Sequence, residues 1–222
     1  MQDVFVSDLI DQVPLIIDGL ARTVLLAIVI SVTGFFAGVF VFWLRLHRNR
    51  LVARLTTAYI SFFVGMPLIV LLFLMYYGLP QWGVRLTPFA VVVIGFTFNI
   101  AAYNAGYLLS AYNGMDRGEI EAAVAQGFSE LQIFRFIVLP QALRVCVPSL
   151  ANQVIRNVKD TSLASLVQYT EFFARIQEVA SGDFQFFAAY LFAGSIYLMF
   201  VSAIVIAARQ VERRYPAPGW QP

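Results

Sequence analysis

Charged residues, lysines, histidines and cysteines are all scarce in this sequence of 222 residues. Only 13% of the residues are charged, 60% are hydrophobic, and the mean hydropathy is +0.76. This balance excludes an ordinary soluble domain and is typical of a membrane protein. The single cysteine, Cys146, excludes an internal disulfide. The single histidine, His47, lies in a basic loop, so no Cys/His cluster is available for a metal site.

Motifs for catalysis and nucleotide binding are absent as well. The sequence has no G-x-x-x-x-G-K-[ST] motif, and Lys159 is the only lysine, so the chain is not expected to cradle ATP. His47 offers no general base at membrane depth, and we expect no catalytic residue. No basic stripe outside the short loops supports nucleic-acid binding. The N-terminal sequence MQDVFVSDLIDQ has no leading Arg or Lys, and is therefore not expected to be a cleavable signal peptide.

Five apolar runs are long enough to cross a bilayer, which takes about 20 residues of helix. The fourth run is visibly more polar than the others. We expect an all-α fold with one transmembrane domain over residues 1–222 and a frayed tail at 215–222. The predicted spans are Gly19–Leu44, Thr57–Gly78, Pro88–Ser110, Val147–Val167 and Phe186–Ala208.

Positive charge is distributed unevenly between the loops. Ten arginines lie in the loop after the first span, the segment after the third span and the C-terminal tail, whereas the opposite side has only Arg22, Arg85 and Arg175. Because cytoplasmic loops carry the excess of Lys and Arg, the group of ten is expected in the cytoplasm. Five spans then place the N-terminus outside and the C-terminus inside.

The stretch NQVIRNVKDTS, Asn152–Ser162, brings several polar residues into the fourth span. Each charge at the centre of a span costs about 2.5–3.5 kcal/mol on insertion scales. One interpretation is a structural network in which Arg156 and Asp160, four residues apart, pair on one helix face. The other interpretation is a polar lining for a water-filled path, since ionisable residues inside spans usually serve function.

The third span contains a second polar stretch, FNIAAYNAGY. Asn99, Tyr103 and Asn104 could face the same cavity. The alternative is hydrogen bonding between closely packed helices, which the neighbouring alanines and Gly106 would permit. The residues alone leave both interpretations open.

Glu121–Pro140, EAAVAQGFSELQIFRFIVLP, is the most polar long stretch of the chain. Its pattern predicts a short helix interrupted at Gly127 and a second helix capped by Ser129, which re-enters the membrane and stops at Pro140. The side chain of Phe128, beside the glycine, can project from the turn. Such a cytoplasmic segment of two helices joined by a turn is suited to docking on another protein. The alternative is an amphipathic helix lying on lipid headgroups.

The spacing of Glu121-Ala122-Ala123, Gly127, Ile137 and Leu139-Pro140 resembles the EAA motif of importer-type ABC transporter permeases. Further stretches resemble the polar amino acid uptake permeases of the histidine, glutamine and arginine type. The resemblance covers about residues 15–214. These stretches are DGLARTVLLAIVISVTG (Asp18–Gly34), FVGMPLIVLLF with Gly65 and Pro67, AAYNAG in the third span, and KDTSLASLV (Lys159–Val167).

The resemblance implies a type I ABC importer permease fold, with five transmembrane helices and a cytoplasmic coupling helix in the EAA segment, Glu121–Pro140. It implies a bacterial inner-membrane subunit with three kinds of protein partner. These are an ATPase dimer that binds ATP and magnesium, a second permease subunit that is identical or different, and an external solute-binding protein. The residues implied to couple to the ATPase are Glu121, Ala122, Ala123, Gly127 and Phe128.

The resemblance also implies substrate-binding residues for an amino acid or a derivative. Asp160 would attract an ammonium group, Asn99 would hydrogen-bond the α-groups, and Thr161, Ser162 and Met66 would complete the site. The sequence departs from the family where polar residues are usual, so the pocket is expected to be more apolar, or the chain to be the divergent half of a heterodimer. The departures are Val64, Met66, Leu71, Gly106 and Leu109.

Two alternatives belong to other classes. An ion-coupled secondary transporter usually shows paired repeats and interrupted helices, and neither is visible in the sequence. A membrane-embedded enzyme would need a nucleophile or a metal constellation, which the sequence lacks.

Overall fold

The computed structural model describes residues 10–214, which form helices joined by short connections. Helices form here because a helix satisfies the backbone N–H and C=O groups within one segment, where lipid offers no partners. The predicted all-α membrane fold is confirmed. The predicted tail at 215–222 lies outside the described residues.

From Val13 onward the α-helices are α1 (Val13–Arg45), α2 (Arg50–Gly65), α3 (Leu68–Phe73), α4 (Pro88–Asn113), α5 (Arg117–Ala125), α6 (Glu130–Ile133), α7 (Leu139–Asp160), α8 (Phe172–Asp183) and α9 (Phe186–Arg214).

Four helical stretches in the described part of the chain are long and apolar enough to cross a membrane, or up to five if one bent pair of helices counts as a single span. Val13–Arg45, Pro88–Asn113 and Phe186–Gln210 correspond to the first, third and fifth predicted spans. The fourth, Glu130–Val167, begins well before the predicted start at Val147.

The second predicted span, Thr57–Gly78, is wrong as one continuous helix. The helix begins earlier, at Arg50, and breaks between Gly65 and Leu68. Met66 has an extended backbone with φ −88° and ψ 127°. The ring of Pro67 disfavours a helical conformation for the residue before it, so the proline explains the break.

The predicted helix end at Pro140 is also wrong. The helix that begins after Ser129 widens into a π-helical turn at Phe134–Val138 and continues as α7, with Pro140 in its first turn. Proline lacks an N–H and its ring collides with the carbonyl four residues earlier in a regular α-helix. The wider π turn falls at this carbonyl, and it explains how the helix continues through Pro140.

The chain divides into two compact units, each assembled from separated parts of the sequence. In the first unit, an apolar core joins Ile16 of α1 to Phe172 and Ile176 of α8 and to Ala189 and Ala193 of α9. Within the described residues, the first unit comprises 10–32, 67–97 and 154–206, and the second comprises 33–66, 98–153 and 207–214.

The second unit depends on a close approach of α1 and α4. A Cβ atom on Gly34 would lie 2.5 Å from Cγ2 of Ile100, and one on Gly38 would lie 2.6 Å from Cβ of Asn104. Small residues are therefore required at both positions, as is usual where membrane helices touch. Nearby, the buried ring of Phe42 anchors the core of this unit.

Candidate functional site

A sharp, fully hydrogen-bonded turn lies at the centre of the EAA segment. Gly127 has φ +82°, a left-handed conformation that favours glycine. Its N–H donates to the carbonyl of Val124 at 3.0 Å, and the N–H of Phe128 donates to the carbonyl of Ala123 at 3.1 Å. This pair of bonds is a Schellman motif, which ends α5 and satisfies its last carbonyl groups.

The next helix starts at once. Ser129 and Gln132 form a capping box, in which the Gln132 N–H donates to Oγ of Ser129 at 3.4 Å and the Ser129 N–H donates to Oε1 of Gln132 at 2.8 Å. The predicted cap at Ser129 is confirmed. The ring of Phe134 then packs 5.6 Å from the ring of Phe42, centroid to centroid. The turn is thus held from both sides and anchored in the core of the second unit.

Apolar side chains on this turn remain exposed. Val124 is 60% exposed, Phe128 40% and Leu131 60%. We call these three residues the apolar apex. Of the residues implied to couple to an ATPase, Glu121, Ala122, Gly127 and Phe128 are exposed, whereas Ala123 is only 5% exposed and packs into the core. Ala123 therefore positions the helix and offers no surface of its own.

Asn99 lies beside the break in the second span. Its Nδ2 donates to the carbonyl of Phe63 at 3.0 Å, and its side chain is part of the buried polar set. In an unbroken helix the carbonyl of residue 63 would accept from the N–H of residue 67, but residue 67 is a proline and has none. Asn99 supplies the missing donor close to Met66, and one function of this amide is therefore structural.

Asp160, Thr161 and Ser162 mark the point where α7 tightens into a 3₁₀ helix, Thr161–Val167. The Thr161 hydroxyl is fully buried and donates to the carbonyl of Val158 at 2.7 Å. The Ser162 hydroxyl donates to the carbonyl of Lys159 at 3.0 Å. Asp160 is half-buried. The structure therefore leaves Asp160 and Ser162 partly accessible and commits Thr161 to the packing.

The polar residues of α7 divide between two faces. Gln153 and Asn157 are buried: Oε1 of Gln153 accepts from the Tyr107 hydroxyl at 3.3 Å, and Nδ2 of Asn157 donates to Oγ of Ser31 at 3.0 Å. Asn152, Arg156 and Lys159 lie on the exposed face. Gln153 and Asn157 thus serve contacts between helices, and the pairing of Arg156 with Asp160 stays a prediction.

A small cavity adjoins the exposed end of this stretch within the first unit. Its volume is about 200 Å³. Lys159 and Ser162 contribute polar atoms, and aromatic rings from α8 and α9 close the other side. The remaining lining residues are Phe173, Tyr190, Ala193, Gly194 and Tyr197.

Two of the departures from the family pattern fill core positions. Leu71 is 9% exposed in the first unit, and Leu109 packs against the core of the second. Val64, by contrast, is 42% exposed, and a Cβ on Gly106 would meet no atom within 4 Å. Val64 therefore adds apolar surface to the exterior of the chain, and Gly106 leaves open space beside α4.

Glu171 is a buried polar residue that sequence reasoning missed. Its side chain is fully buried and caps the N-terminus of α8. Oε2 accepts from the Thr23 hydroxyl at 3.0 Å, from the Tyr197 hydroxyl at 3.1 Å and from the Phe173 N–H at 3.0 Å, and Oε1 accepts from the Ala174 N–H at 2.9 Å. One carboxylate thereby connects α1, α8 and α9.

Glu171 lies between the spans, where burial is the largest influence on its charge. Burial raises the pKa of the Glu171 carboxyl, and the hydrogen bonds from Phe173, Ala174, Thr23 and Tyr197 oppose that rise. An acidic residue directly before the helical run FFARIQEV was the available sequence signal, because carboxylates favour helix N-termini.

No group of three or more His, Cys, Asp or Glu side chains suited to a metal ion occurs among residues 10–214. Nδ1 of His47 accepts the Asn49 N–H at 3.0 Å. The buried thiol of Cys146 donates to the carbonyl of Tyr107 at 3.1 Å. Both side chains therefore have structural partners in the protein.

Comparisons with known proteins agree with this architecture. Residues 30–215 match the family described as binding-protein-dependent transport system inner membrane component. The chain is 41% identical over 169 residues to the probable amino-acid ABC transporter permease protein PatM of Vibrio harveyi, covering 75% of this chain and 74% of that protein. It is 33% identical to the probable amino-acid permease protein YxeN of Bacillus subtilis, covering 95% of each chain.

Solved structures show the same fold. An amino acid ABC transporter crystallised with histidines superposes with a TM-score of 0.85 at 26% identity, covering 95% of this chain and 98% of that one. The MetNI methionine ABC transporter superposes with a TM-score of 0.73 at 20% identity. The comparisons lend no support to a secondary transporter or a membrane enzyme. The chain belongs to the family of binding-protein-dependent transport system inner membrane components, and is an ABC importer permease subunit.

Proposed function

We propose that this permease carries an amino acid or a close derivative across the inner membrane and transmits ATPase movement through the EAA segment. The substrate class is supported by the names of similar chains, which include a probable glutamine ABC transporter permease and an arginine transport system permease from Bacillus subtilis. These relatives are 30% and 28% identical to this chain, each over 94% of it.

The apolar apex is the observation that carries the coupling part of the proposal. Val124, Phe128 and Leu131 are exposed on a turn whose backbone is fixed by a Schellman motif and a capping box. Exposed apolar side chains on a rigid, core-anchored helix suit a groove in a partner protein, because little conformational entropy is lost on docking. Anchoring through Phe134 and Phe42 would pass the partner's movement into the spans.

The partner in this proposal is a separate ATPase dimer, which binds ATP and Mg²⁺. A second permease subunit completes the path, and an external solute-binding protein delivers the substrate. The arginine-rich loops support an orientation with the N-terminus outside and the EAA segment in the cytoplasm.

In the translocation path, Asp160 is the counter-charge for the substrate ammonium group, and Ser162 is a neighbouring polar contact. Their partial exposure supports these roles. Three further residues position the backbone around the path: Asn99, Thr161 and Met66. The Asn99 amide and the Thr161 hydroxyl donate to backbone carbonyls, and Met66 forms the break in the second span.

Gly127→Ala tests the coupling role. A Cβ on Gly127 meets no atom within 4 Å, so the substitution perturbs only the left-handed backbone, by about 1–2 kcal/mol. We expect transport and substrate-stimulated ATP hydrolysis to fall together several-fold in the reconstituted complex. Gly83→Ala is the matched control, because Gly83 also has φ +82° and open space around it but lies outside the EAA segment.

Unchanged coupling in a well-assembled Gly127→Ala complex would contradict the proposal. Equal losses in Gly127→Ala and Gly83→Ala would also contradict it, since they would reflect general backbone strain. Gly182→Ala, at an open helical position without a positive φ, reports the effect of an added methyl group alone.

A further inference from the structure

The connection between α1 and α2 concentrates positive charge in a part of the sequence that has no acidic residues. Arg45 ends α1, Arg48 lies in the connection, and Arg50 and Arg54 lie in the first turns of α2. No Asp or Glu occurs in the sequence between Asp18 and Asp116. The ion pairs found among the described residues involve Arg22 and Arg175, and none involves the four arginines of this connection.

The connection is ordered rather than loose. Nδ1 of His47 accepts the Asn49 N–H at 3.0 Å, and Oδ1 of Asn49 accepts the Leu51 N–H at 2.8 Å. Asn49 therefore caps α2, and its successive bonds set the direction in which the helix leaves α1. The arginines on either side of Asn49 are held on a defined backbone.

The first two turns of α2 combine charge with exposed apolar surface. Arg50 and Arg54 are exposed and four residues apart, and so are Leu51 and Leu55, which are 63% and 62% exposed. The opposite side packs inward through Thr56, which is 6% exposed. Leucines beside arginines at the end of a membrane-spanning helix match the boundary between acyl chains and headgroups.

We propose that Arg48, Arg50 and Arg54, together with Leu51 and Leu55, form a binding site for an anionic phospholipid of the phosphatidylglycerol type. The guanidinium groups pair with the phosphate, which arginine can bind through two parallel hydrogen bonds. The leucines contact the acyl chains next to the headgroup. A basic cluster directly beside a span is the arrangement that anionic membrane lipids favour.

The experiment uses the permease purified with its ATPase in detergent. Retained lipid is counted by native mass spectrometry after titration with phosphatidylglycerol, phosphatidylcholine or inorganic phosphate. We expect the wild-type complex to retain phosphatidylglycerol with at least a fivefold preference over phosphatidylcholine, and inorganic phosphate to compete poorly. R50Q/R54Q should lose that preference, whereas R50K/R54K should keep part of it.

R117Q/R144Q is the charge-matched control, since it also removes two exposed arginines outside this connection. Equal loss of phosphatidylglycerol in R117Q/R144Q would overturn the site, as would full retention in R50Q/R54Q. Displacement by millimolar phosphate would show a simple anion site. Loss of the ATPase from R50Q/R54Q with lipid retained would show a protein-docking surface.

A photoactivatable phosphatidylglycerol analogue provides a measurement on the wild-type complex that does not depend on variants folding. We expect the crosslinked peptide to contain residues 45–55. Crosslinks confined to other segments would overturn the proposal.

Discussion

The EAA segment and the polar stretch Asn152–Ser162 both interrupt an apolar sequence, yet the structure treats them in opposite ways. The EAA segment uses its polar groups to fix a turn and leaves apolar side chains exposed. The stretch in α7 buries Gln153 and Asn157 in hydrogen bonds and leaves charged side chains exposed. An unusual residue type therefore does not define a binding surface; what matters is whether its polar groups already have partners in the fold.

Phe128→Asp should produce the largest effect and tests the exposed side of this comparison. A charge placed in an apolar docking contact would be desolvated without a partner, and hot-spot residues of interfaces are worth at least about 2 kcal/mol, or roughly 30-fold in affinity. We expect the ATPase to dissociate from the permease, measured by co-purification. Phe184→Asp is the control, because Phe184 is 80% exposed and has φ 57°, a conformation that Asp tolerates. Normal co-purification of Phe128→Asp would remove the apolar apex from the docking surface.

Asp160→Asn tests the accessible end of the polar stretch. If Asp160 pairs with the substrate ammonium group, loss of one charged hydrogen bond, about 1.5–3 kcal/mol, should reduce transport by about tenfold or more while basal ATP hydrolysis persists. The double variant Asp160→Asn/Arg156→Gln should not regain transport. Full recovery in the double variant, normalised to assembled complex, would show that Asp160 is a structural counter-ion.

Asn99→Leu should have a moderate effect on stability, because it leaves the carbonyl of Phe63 without its donor. An unsatisfied buried carbonyl costs about 1–3 kcal/mol. Pro67→Ala restores a backbone N–H at the position from which an unbroken helix would serve that carbonyl. We therefore expect Asn99→Leu/Pro67→Ala to be less destabilised than the sum of the single variants, measured by thermal unfolding in detergent. Strict additivity would contradict the structural role of Asn99.

Glu171 should give the smallest effect, a dependence of stability on pH. Burial raises the pKa of Glu171 in the folded protein. The folded state then binds this proton more tightly than the unfolded state, so its contribution is fully present below the unfolded pKa and is lost as pH rises through the raised pKa. The unfolding temperature of the wild type, relative to Glu171→Gln, should fall as pH rises through that window. Glu178→Gln is an exposed change in the same helix, and its unfolding temperature should depend on pH as that of the wild type does. If Glu178→Gln instead lost the pH dependence to the same extent as Glu171→Gln, the assignment to Glu171 would be contradicted.

Sequence patterns predicted most of the elements for a simple physical reason. In lipid, a long apolar run can satisfy its backbone N–H and C=O groups by forming a helix. For the spans that begin at Val13, Pro88 and Phe186, most of the predicted ends therefore lie within a few residues of the observed ends. Gly127 and Ser129 were predicted as a turn and a cap because each acts on its own backbone. The family relationship followed from the spacing within Glu121–Pro140 and is shown by the comparisons.

The predictions that depended on proline, at Pro67 and at Pro140, were both wrong. Pro140 was expected to end a helix, but the π turn before it falls at the carbonyl that its ring would meet. Pro67 was placed inside a continuous span, but the helix breaks there and Asn99 takes over the missing hydrogen bond. In both cases the outcome depends on geometry or partners that lie outside the local pattern.

The sequence by itself determined the membrane class, the helical elements, the uneven distribution of arginine and the EAA turn, since each depends on composition or on residues a few positions apart. Only the tertiary structure decided that Ala123 packs inward while Phe128 remains exposed, that Asn157 is committed to Ser31, and that Glu171 joins Thr23 and Tyr197, which lie 148 and 26 residues away in the chain. A polar side chain is available to a ligand or a partner only if the fold has not already satisfied it, and those satisfying contacts lie on helices that the local sequence does not specify.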